Sequence, residues 1–517
     1  MEILNDSVSL ITTFAAILLT FYAVKLFSGN SCQKKRYHKL RGSVFHQIFH
    51  YKRVHDYHTD LCRRFTTFRL YRPGCGYVYT ADPANVEYIL KTNFANYGKG
   101  KYNYDNMNGL LGDGIFAVDG DKWRHQRKLA SHEFSTKVLR DFSSAVFKSN
   151  AVKLAGIISD LASSNQAMDI QDLFMRSTLD SIFKVGFGVE LDSLLGLNEE
   201  GRRFAKAFDE SSELILRHYI DFTWKIKRFF NIGSEAKLRK SVQVLDDLVY
   251  RVIQQKRESM SKQEYNSVKK EDILSRFLIE SKKDPENISD KYLRDIILNF
   301  TIAGRDTTAG TLSWFFYMLC LHPNIQEKVA AEVKEATSAT GDTSIADFAE
   351  GLTEKVLDKM QYLFATITET LRLYPAVPED PKICFSDDTL PDGFSVKKGD
   401  MLCYLPYSMG RMKFIWGEDA EVFRPERWFN ENGIFRPENP FKFTAFQAGP
   451  RICLGKDFAY RQMKIFAAIL IHYFTFNLSD ENKPIEARTT LTLPINHGLH
   501  LQASKRYRQK INLVSAA

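Results

Sequence analysis

Apolar and polar positions alternate along this chain with two different periods, and the change of period marks the architecture. Residues 66–79 alternate at period two, Thr66-Thr67-Phe68-Arg69-Leu70-Tyr71 and then Gly76-Tyr77-Val78-Tyr79, around Pro73-Gly74, which predicts a β-hairpin. Asp82-Pro83 follows as a helix start, with aspartate at the N-cap and proline at the first position. Residues 99–120 are rich in Gly, Asn and Tyr and read as a loop, and a helix opens at Trp123. From 151 to 277 apolar and charged residues recur at helical spacing, with 256–272 reading as a solvated loop. A long apolar helix is predicted over 289–321, and a further helix carrying Glu369 and Arg372 ends before Pro375.

The first fifty residues follow a different pattern. Residues 7–24 form an uncharged run that would span about 27 Å as a helix at ~1.5 Å per residue, close to a bilayer's thickness. Glu2 and Asp6 precede it; Lys25, Lys34, Lys35, Arg36, Lys39 and Arg41 follow it. That asymmetry predicts an uncleaved anchor in the endoplasmic reticulum membrane, single-pass, with the body of the protein on the cytoplasmic side. The expected division is therefore a membrane anchor (1–28), a basic linker (29–50) and one catalytic domain (51–517). Ile220, Trp224, Phe229 and Phe230 are apolar enough to meet a bilayer surface, although core packing explains such residues more often.

Composition narrows the function. The 517 residues include 39 Phe and 23 Tyr, enough for a large aromatic core, and no Gly/Ser- or Pro-rich linker divides the chain after residue 50. A net charge of +9 without a basic-aromatic module or finger spacing gives no reason to expect nucleic acid. Seven scattered cysteines without a C-x-x-C pair suggest neither a disulfide framework nor a zinc site, and fit a reducing compartment.

The most informative stretch is Phe446-Gln447-Ala448-Gly449-Pro450-Arg451-Ile452-Cys453-Leu454-Gly455. Its spacing suits a cysteine thiolate bound to a metal. Gly449 and Gly455 would let the backbone close around the sulfur. Arg451 would pair with a carboxylate of the bound group, and Phe446 would keep water from the sulfur. A second stretch, Ala303-Gly304-Arg305-Asp306-Thr307-Thr308, puts costly residues inside an apolar helix. There Gly304 is expected to let a flat group approach the backbone, and Thr307 to bond back one turn and loosen the helix.

With these motifs in this order, the chain resembles the haem-thiolate monooxygenases, the cytochrome P-450 family. The resemblance covers about residues 40–505 and implies a mainly α fold with a smaller β-rich part enclosing haem b. It implies Cys453 as axial iron ligand, Trp123, Arg127 and Arg451 on the haem propionates, and Asp306 and Thr307 as the proton-delivery pair. It makes Glu369, Arg372 and Arg427 a buried structural triad, and Phe116, Phe300, Ala303, Val377 and Leu493 the pocket liners. It places residues 99–120 over the haem. The family's usual Pro-rich hinge after the anchor is missing, since no proline precedes Pro73.

A cysteine thiolate pushes electron density onto iron and favours O–O cleavage, so the implied reaction inserts oxygen into an unactivated C–H bond. Because the chain has no dinucleotide fingerprint, electrons are expected from an NADPH-dependent flavoprotein reductase meeting Lys122, Arg124, Lys128 and Lys456. The sequences around Phe300–Gly310 and Gly112-Asp113-Gly114-Ile115-Phe116 resemble the plant branch that hydroxylates long-chain fatty acids at or near the ω-carbon. A terpenoid or sterol monooxygenase, a hydroperoxide isomerase or dehydratase, and a haem sensor are the alternatives.

Overall fold

The computed structural model describes residues 40–507 except 73–74, 135–136, 197, 222, 263–271 and 287. The expected anchor at 7–24 and the turn at Pro73-Gly74 lie outside the described residues. Among those described, no helix is long and apolar enough to cross a membrane.

Helices dominate. In chain order the principal ones are α1 (Val44–Phe49), α2 (Val54–Cys62), α3 (Gly100–Leu111), α4 (Gly120–Phe134), α5 (Lys137–Ser163), α6 (Ile170–Phe187) and α7 (Glu199–Arg217). They continue with α8 (Trp224–Phe230), α9 (Gly233–Lys262), α10 (Asp290–Thr301), α11 (Thr307–Leu321), α12 (Gln361–Leu373) and α13 (Lys456–Tyr473). Local chemistry sets their ends. Asn198 caps α7 by accepting from the Glu200 and Gly201 N–H groups, and Ser289 caps α10 through the Tyr292 N–H. Phe204, Ala207, Phe208, Ser211, Leu214 and Ile215 form the buried stripe of α7, the spacing of one helix face.

Strands β1 (Leu40–Ser43), β2 (Thr67–Arg72), β3 (Cys75–Thr80), β4 (Tyr97–Gly98), β6 (Asp380–Cys384) and β9 (Met401–Tyr404) make a six-stranded sheet ordered β1-β2-β3-β9-β6-β4. The intervening β5 (Met168–Asp169) joins β10 (Phe474–Leu478) and β11 (His500–Lys505), and β7 (Asp388–Thr389) pairs with β8 (Ser395–Val396). The expected hairpin is present, with β2 and β3 antiparallel and Thr67 opposite Thr80. Asp82 caps the helix Pro83–Glu87 as expected, its carboxylate accepting from the Ala84 N–H. One apolar core fills the helical part and another underlies the large sheet.

Three expectations change. Residues 99–120 are mostly helix rather than loop, because α3 buries Asn103, Asn106, Met107, Leu110 and Leu111 at helical spacing. Packing thus overrides the weak helix propensity of its Gly, Asn and Tyr residues. The charged stretch beginning at Lys256 is still helix to Lys262, and Lys256 binds Asp272 at 2.6 Å instead of facing solvent throughout. Residues 40–50 are not linker: β1 pairs in parallel with β2, and α1 follows it directly.

Candidate active site

The loop before α13 presents Cys453, two residues before the Gly455 N-cap. The Cys453 N–H donates to the Phe446 carbonyl at 2.8 Å, which closes the loop beneath the sulfur. The side chain is exposed. The protein around it still pushes the thiol up, opposed first by the Gly455 backbone N–H and then by Arg127 and Lys456. A helix N-terminus and two cations next to a thiol favour the thiolate, and metal coordination removes the proton outright.

The two glycines have different tasks from those expected. Gly449 has φ +66°, and a Cβ there would lie 2.1 Å from the Leu90 carbonyl oxygen, so its close neighbour is Leu90 and not the sulfur. At Gly455 a Cβ would stand 4.0 Å from the Cys453 Sγ, an ordinary contact. Phe446 holds the loop through its carbonyl, while its ring packs 5.1 Å from that of Tyr460.

Trp123 and two arginines form one group. The Arg451 guanidinium lies 4.4 Å from the Trp123 ring centre and that of Arg127 lies 5.9 Å from it. Arg127 donates to the Ile452 carbonyl at 2.7 Å. Arg451 donates to the Val118 carbonyl and to Asp119 at 2.6 Å, leaving its buried Nε without a hydrogen-bond partner. Asp119, Asp380, Lys99 and Lys382 belong here too, and no sequence motif pointed to them. Lys99 and Lys382 bind the two oxygens of Asp380, each at 2.8 Å. Burial by itself would raise the Asp380 carboxyl, but Lys382 and Lys99 outweigh it and hold that group well below its ordinary range. Burial pushes the Lys382 amine down to about 7 despite Asp380.

Helices α10 and α11 are joined by a π-helical turn, Ile302–Asp306. Thr307 Oγ1 donates to the Ala303 carbonyl at 2.5 Å, the back-bond that the sequence suggested. Gly304 does not face the cavity as expected: a Cβ there would meet the Ile182 side chain of α6 at 2.8 Å. Asp306 is buried against Arg305 at 2.9 Å, and Arg305 also reaches Asp209 at 2.6 Å. Burial pushes the Asp306 carboxyl up to about 6 in spite of Arg305. Thr307 and Asp306 are neighbours in sequence with separate partners.

A cavity of about 240 Å³ adjoins Thr307. Phe116, Ala303 and Val377 line it, together with Met107, Leu111 and Ile302. Two expected liners do not. Phe300 turns toward Phe134, with ring centres 5.7 Å apart. Leu493 is buried, its backbone bonded to Trp314 and Ala376, and residues 489–492 line the cavity in its place.

Glu369 binds Arg372 through two hydrogen bonds of 2.8 Å, and Arg427 at 3.2 Å, so the triad assembles. Trp428, which no motif indicated, donates to Glu369 at 3.0 Å. Arg372 also donates to the carbonyls of Gly410, Ala420 and Val422, tying α12 to the segment leading toward the cysteine loop. Breaking a buried pair of this kind typically costs about 3–5 kcal/mol.

An accessible cysteine at a helix N-terminus, with a buried arginine nitrogen unpartnered and two lysines on one aspartate, fits a thiolate-ligated metal group bearing carboxylates. The class this arrangement points to is that of a haem-thiolate protein. The comparisons agree: the Cytochrome P450 family model matches residues 37–501. The chain is 52% identical to Cytochrome P450 704C1 of Pinus taeda over 96% of this chain and 99% of that protein. It is 48% identical to Cytochrome P450 704B1 of Arabidopsis thaliana, covering 90% and 94%, and 38% identical to Cytochrome P450 86B1 of the same plant, covering 89% and 83%. This chain belongs to the cytochrome P450 family, whose members bind haem through an axial cysteine thiolate.

Proposed function

We propose that this protein is a membrane-bound monooxygenase that hydroxylates long-chain fatty acyl compounds at or near the ω end, with electrons from an NADPH-dependent flavoprotein reductase. The observation that carries the reading is a cavity with apolar walls at Met107, Leu111, Phe116 and Val377, reaching Ala303 and Thr307. Such walls hold a hydrocarbon chain by burial, worth about 0.8 kcal/mol per methylene. A one-carbon slip changes that by about one unit, so the shape set by Phe116, Ala303 and Val377 selects the carbon attacked.

In this reading Cys453 would ligate the haem iron through its sulfur, and Arg127 and Arg451, beside Trp123, would hold the haem carboxylates, while Lys99 and Lys382 add positive charge through their pairs with Asp380. When bound, haem supplies dioxygen activation and C–H oxidation. The chain's own residues orient the substrate, exclude water and move protons. Thr307 Oγ1 donates its hydrogen bond to the Ala303 carbonyl, so toward the cavity its lone pairs can accept from a further donor. Asp306, pushed up to about 6, holds or releases a proton near neutral pH while paired with Arg305, one residue before Thr307.

Membrane attachment rests on the expected anchor at 7–24, which would place the enzyme in the endoplasmic reticulum membrane with its catalytic domain cytoplasmic. It is supported by α8, where Trp224 is buried while Phe229 and Phe230 are 83% and 64% exposed beside exposed Ile226 and Ile232. Within this stretch Trp224 is buried in the core, and the exposed phenylalanines are available to a bilayer surface.

The test is aerobic turnover of a long-chain fatty-acid panel in microsomes carrying this protein, a plant reductase and NADPH, with products identified by mass spectrometry. Hydroxy acids that need NADPH and vanish in Cys453→Ala are the expected result. An intact reduced carbon monoxide spectrum without product would discard fatty acids as substrates.

A further inference from the structure

The polar wall of the cavity is organised around one carboxylate. Glu379 lies in the segment between α12 and β6 and lines the cavity that also contains Thr307. Its Oε1 accepts from His55 Nδ1 at 2.9 Å and from His58 Nδ1 at 2.7 Å, both on α2. His58 Nε2 lies 2.9 Å from the Gln47 side-chain amide nitrogen, which also donates to the Tyr79 hydroxyl at 2.6 Å. Since a carboxylate oxygen only accepts, each ring donates to it through a proton on Nδ1. Both histidines are buried and both are committed to the same oxygen.

The other oxygen differs. Glu379 Oε2 makes no hydrogen bond to a described residue, and the side chain keeps 23% of its surface accessible. Burial alone would raise this carboxyl, but His58 and His55 outweigh it and hold it well below its ordinary range. The nearby cations Lys99 and Lys382 are engaged with Asp380. The result is an ionised carboxylate, fixed through one oxygen and presenting the other to a cavity with largely apolar walls. Such an oxygen repels a substrate carboxylate and accepts strongly from an O–H donor, in a charge-assisted hydrogen bond.

We propose that Glu379 is a hydroxyl-recognition residue, and that the substrate is a long chain already carrying an alcohol group, held by Glu379 Oε2 while the carbon to be oxidised lies beside Thr307. The proposal rests on the long-chain reading above and specifies its substrate. The reaction that supplies this substrate must then be one that installs an alcohol, either an earlier hydroxylation or the reduction of an acyl group.

The experiment uses the full-length holoenzyme in nanodiscs and three probes of matched length: 1-hexadecanol, its methyl ether and hexadecanoic acid. Binding is read from the haem absorption shift that substrate causes, and turnover of hexadecanoic acid is measured in parallel. The alcohol is expected to bind roughly tenfold or more tightly than the ether, the ratio typical of a hydrogen bond to a charged group. Glu379→Gln, which keeps the shape and removes the charge, is expected to cut that ratio at least about threefold with haem content unchanged. The wild-type comparison stands even if the variant fails to fold. Equal binding of alcohol and ether overturns the role of Glu379 and leaves the long-chain reading to the turnover result. A preference that survives Glu379→Gln assigns the hydroxyl to another residue and overturns it as well. If no probe binds and hexadecanoic acid is not oxidised, the long-chain reading falls and this proposal with it.

Discussion

His472 shows what burial does to a single titratable residue. It lies in α13, 1% exposed, with its ring stacked 4.3 Å from that of Phe348. Burial pushes its pKa from 6.5 down to about 4. In the unfolded chain the ring takes up a proton as pH falls below 6.5, whereas in the folded chain it stays neutral until about 4. The stability it contributes is therefore complete above pH 6.5 and is lost between 6.5 and 4, by at most about 3 kcal/mol and less where water reaches the ring. His472→Leu is expected to flatten the fall in urea-unfolding midpoint between pH 7 and pH 5. An unchanged fall would remove His472 as its source. Nothing in the sequence around His472 announces this, because the ring's neighbour is supplied by a helix more than a hundred residues earlier. Cys453, Trp123 and Arg127 stand out from local spacing; Asp119 and Lys382 do not, since only the fold brings them to the same place.

At the scale of elements, the stretch 289–321 was legible as one apolar helix, but its interruption was not. The π-helical turn Ile302–Asp306 carries Ala303 to the cavity while Gly304 is packed against α6. Gly304→Ala would set a methyl 2.8 Å from the tip of Ile182, an overpacking contact expected to cost about 1–3 kcal/mol. The same substitution made in an Ile182→Ala background should cost much less, since the cycle removes the clash. Chemical denaturation of the four proteins measures the coupling; purely additive effects would show that Ile182 is not what excludes a side chain at 304. Helix α3 teaches the opposite lesson. Its composition reads as loop, and it is helical because Met107, Leu110 and Leu111 find a core to enter.

Across the whole molecule, exposed basic residues stand on the two helices tied to the cysteine loop: α4, which Arg127 bonds to Ile452, and α13, which Lys456 opens. Lys122 is bound to Asp113 and Arg124 to Asp121, while Lys128 and Lys456 make no ion pair with a described residue. A reductase with an acidic docking face would therefore gain more from the latter two. Charge reversal at Lys128 and Lys456 is expected to slow first-electron transfer and reduce its salt dependence, with a smaller effect at Lys122. Stopped-flow reduction under carbon monoxide at two ionic strengths checks this, and equal rates for all variants would move the docking face elsewhere.

By itself the sequence determined the family, the mainly helical class, the hairpin and the cysteine loop, while the triad of Glu369 with Arg372 and the more distant Arg427 came only through the resemblance. The former depend on residues close together in the chain or on side-chain types that few other arrangements require. Tertiary structure decided which residues share a surface. It put Asp119 against Arg451 across 332 positions and Lys99 against Asp380 across 281. It turned Phe300 and Leu493 away from the cavity and brought His55 and His58 to Glu379. Periodicity says which face of an element is buried. What that face meets depends on how the elements pack, which no local pattern records.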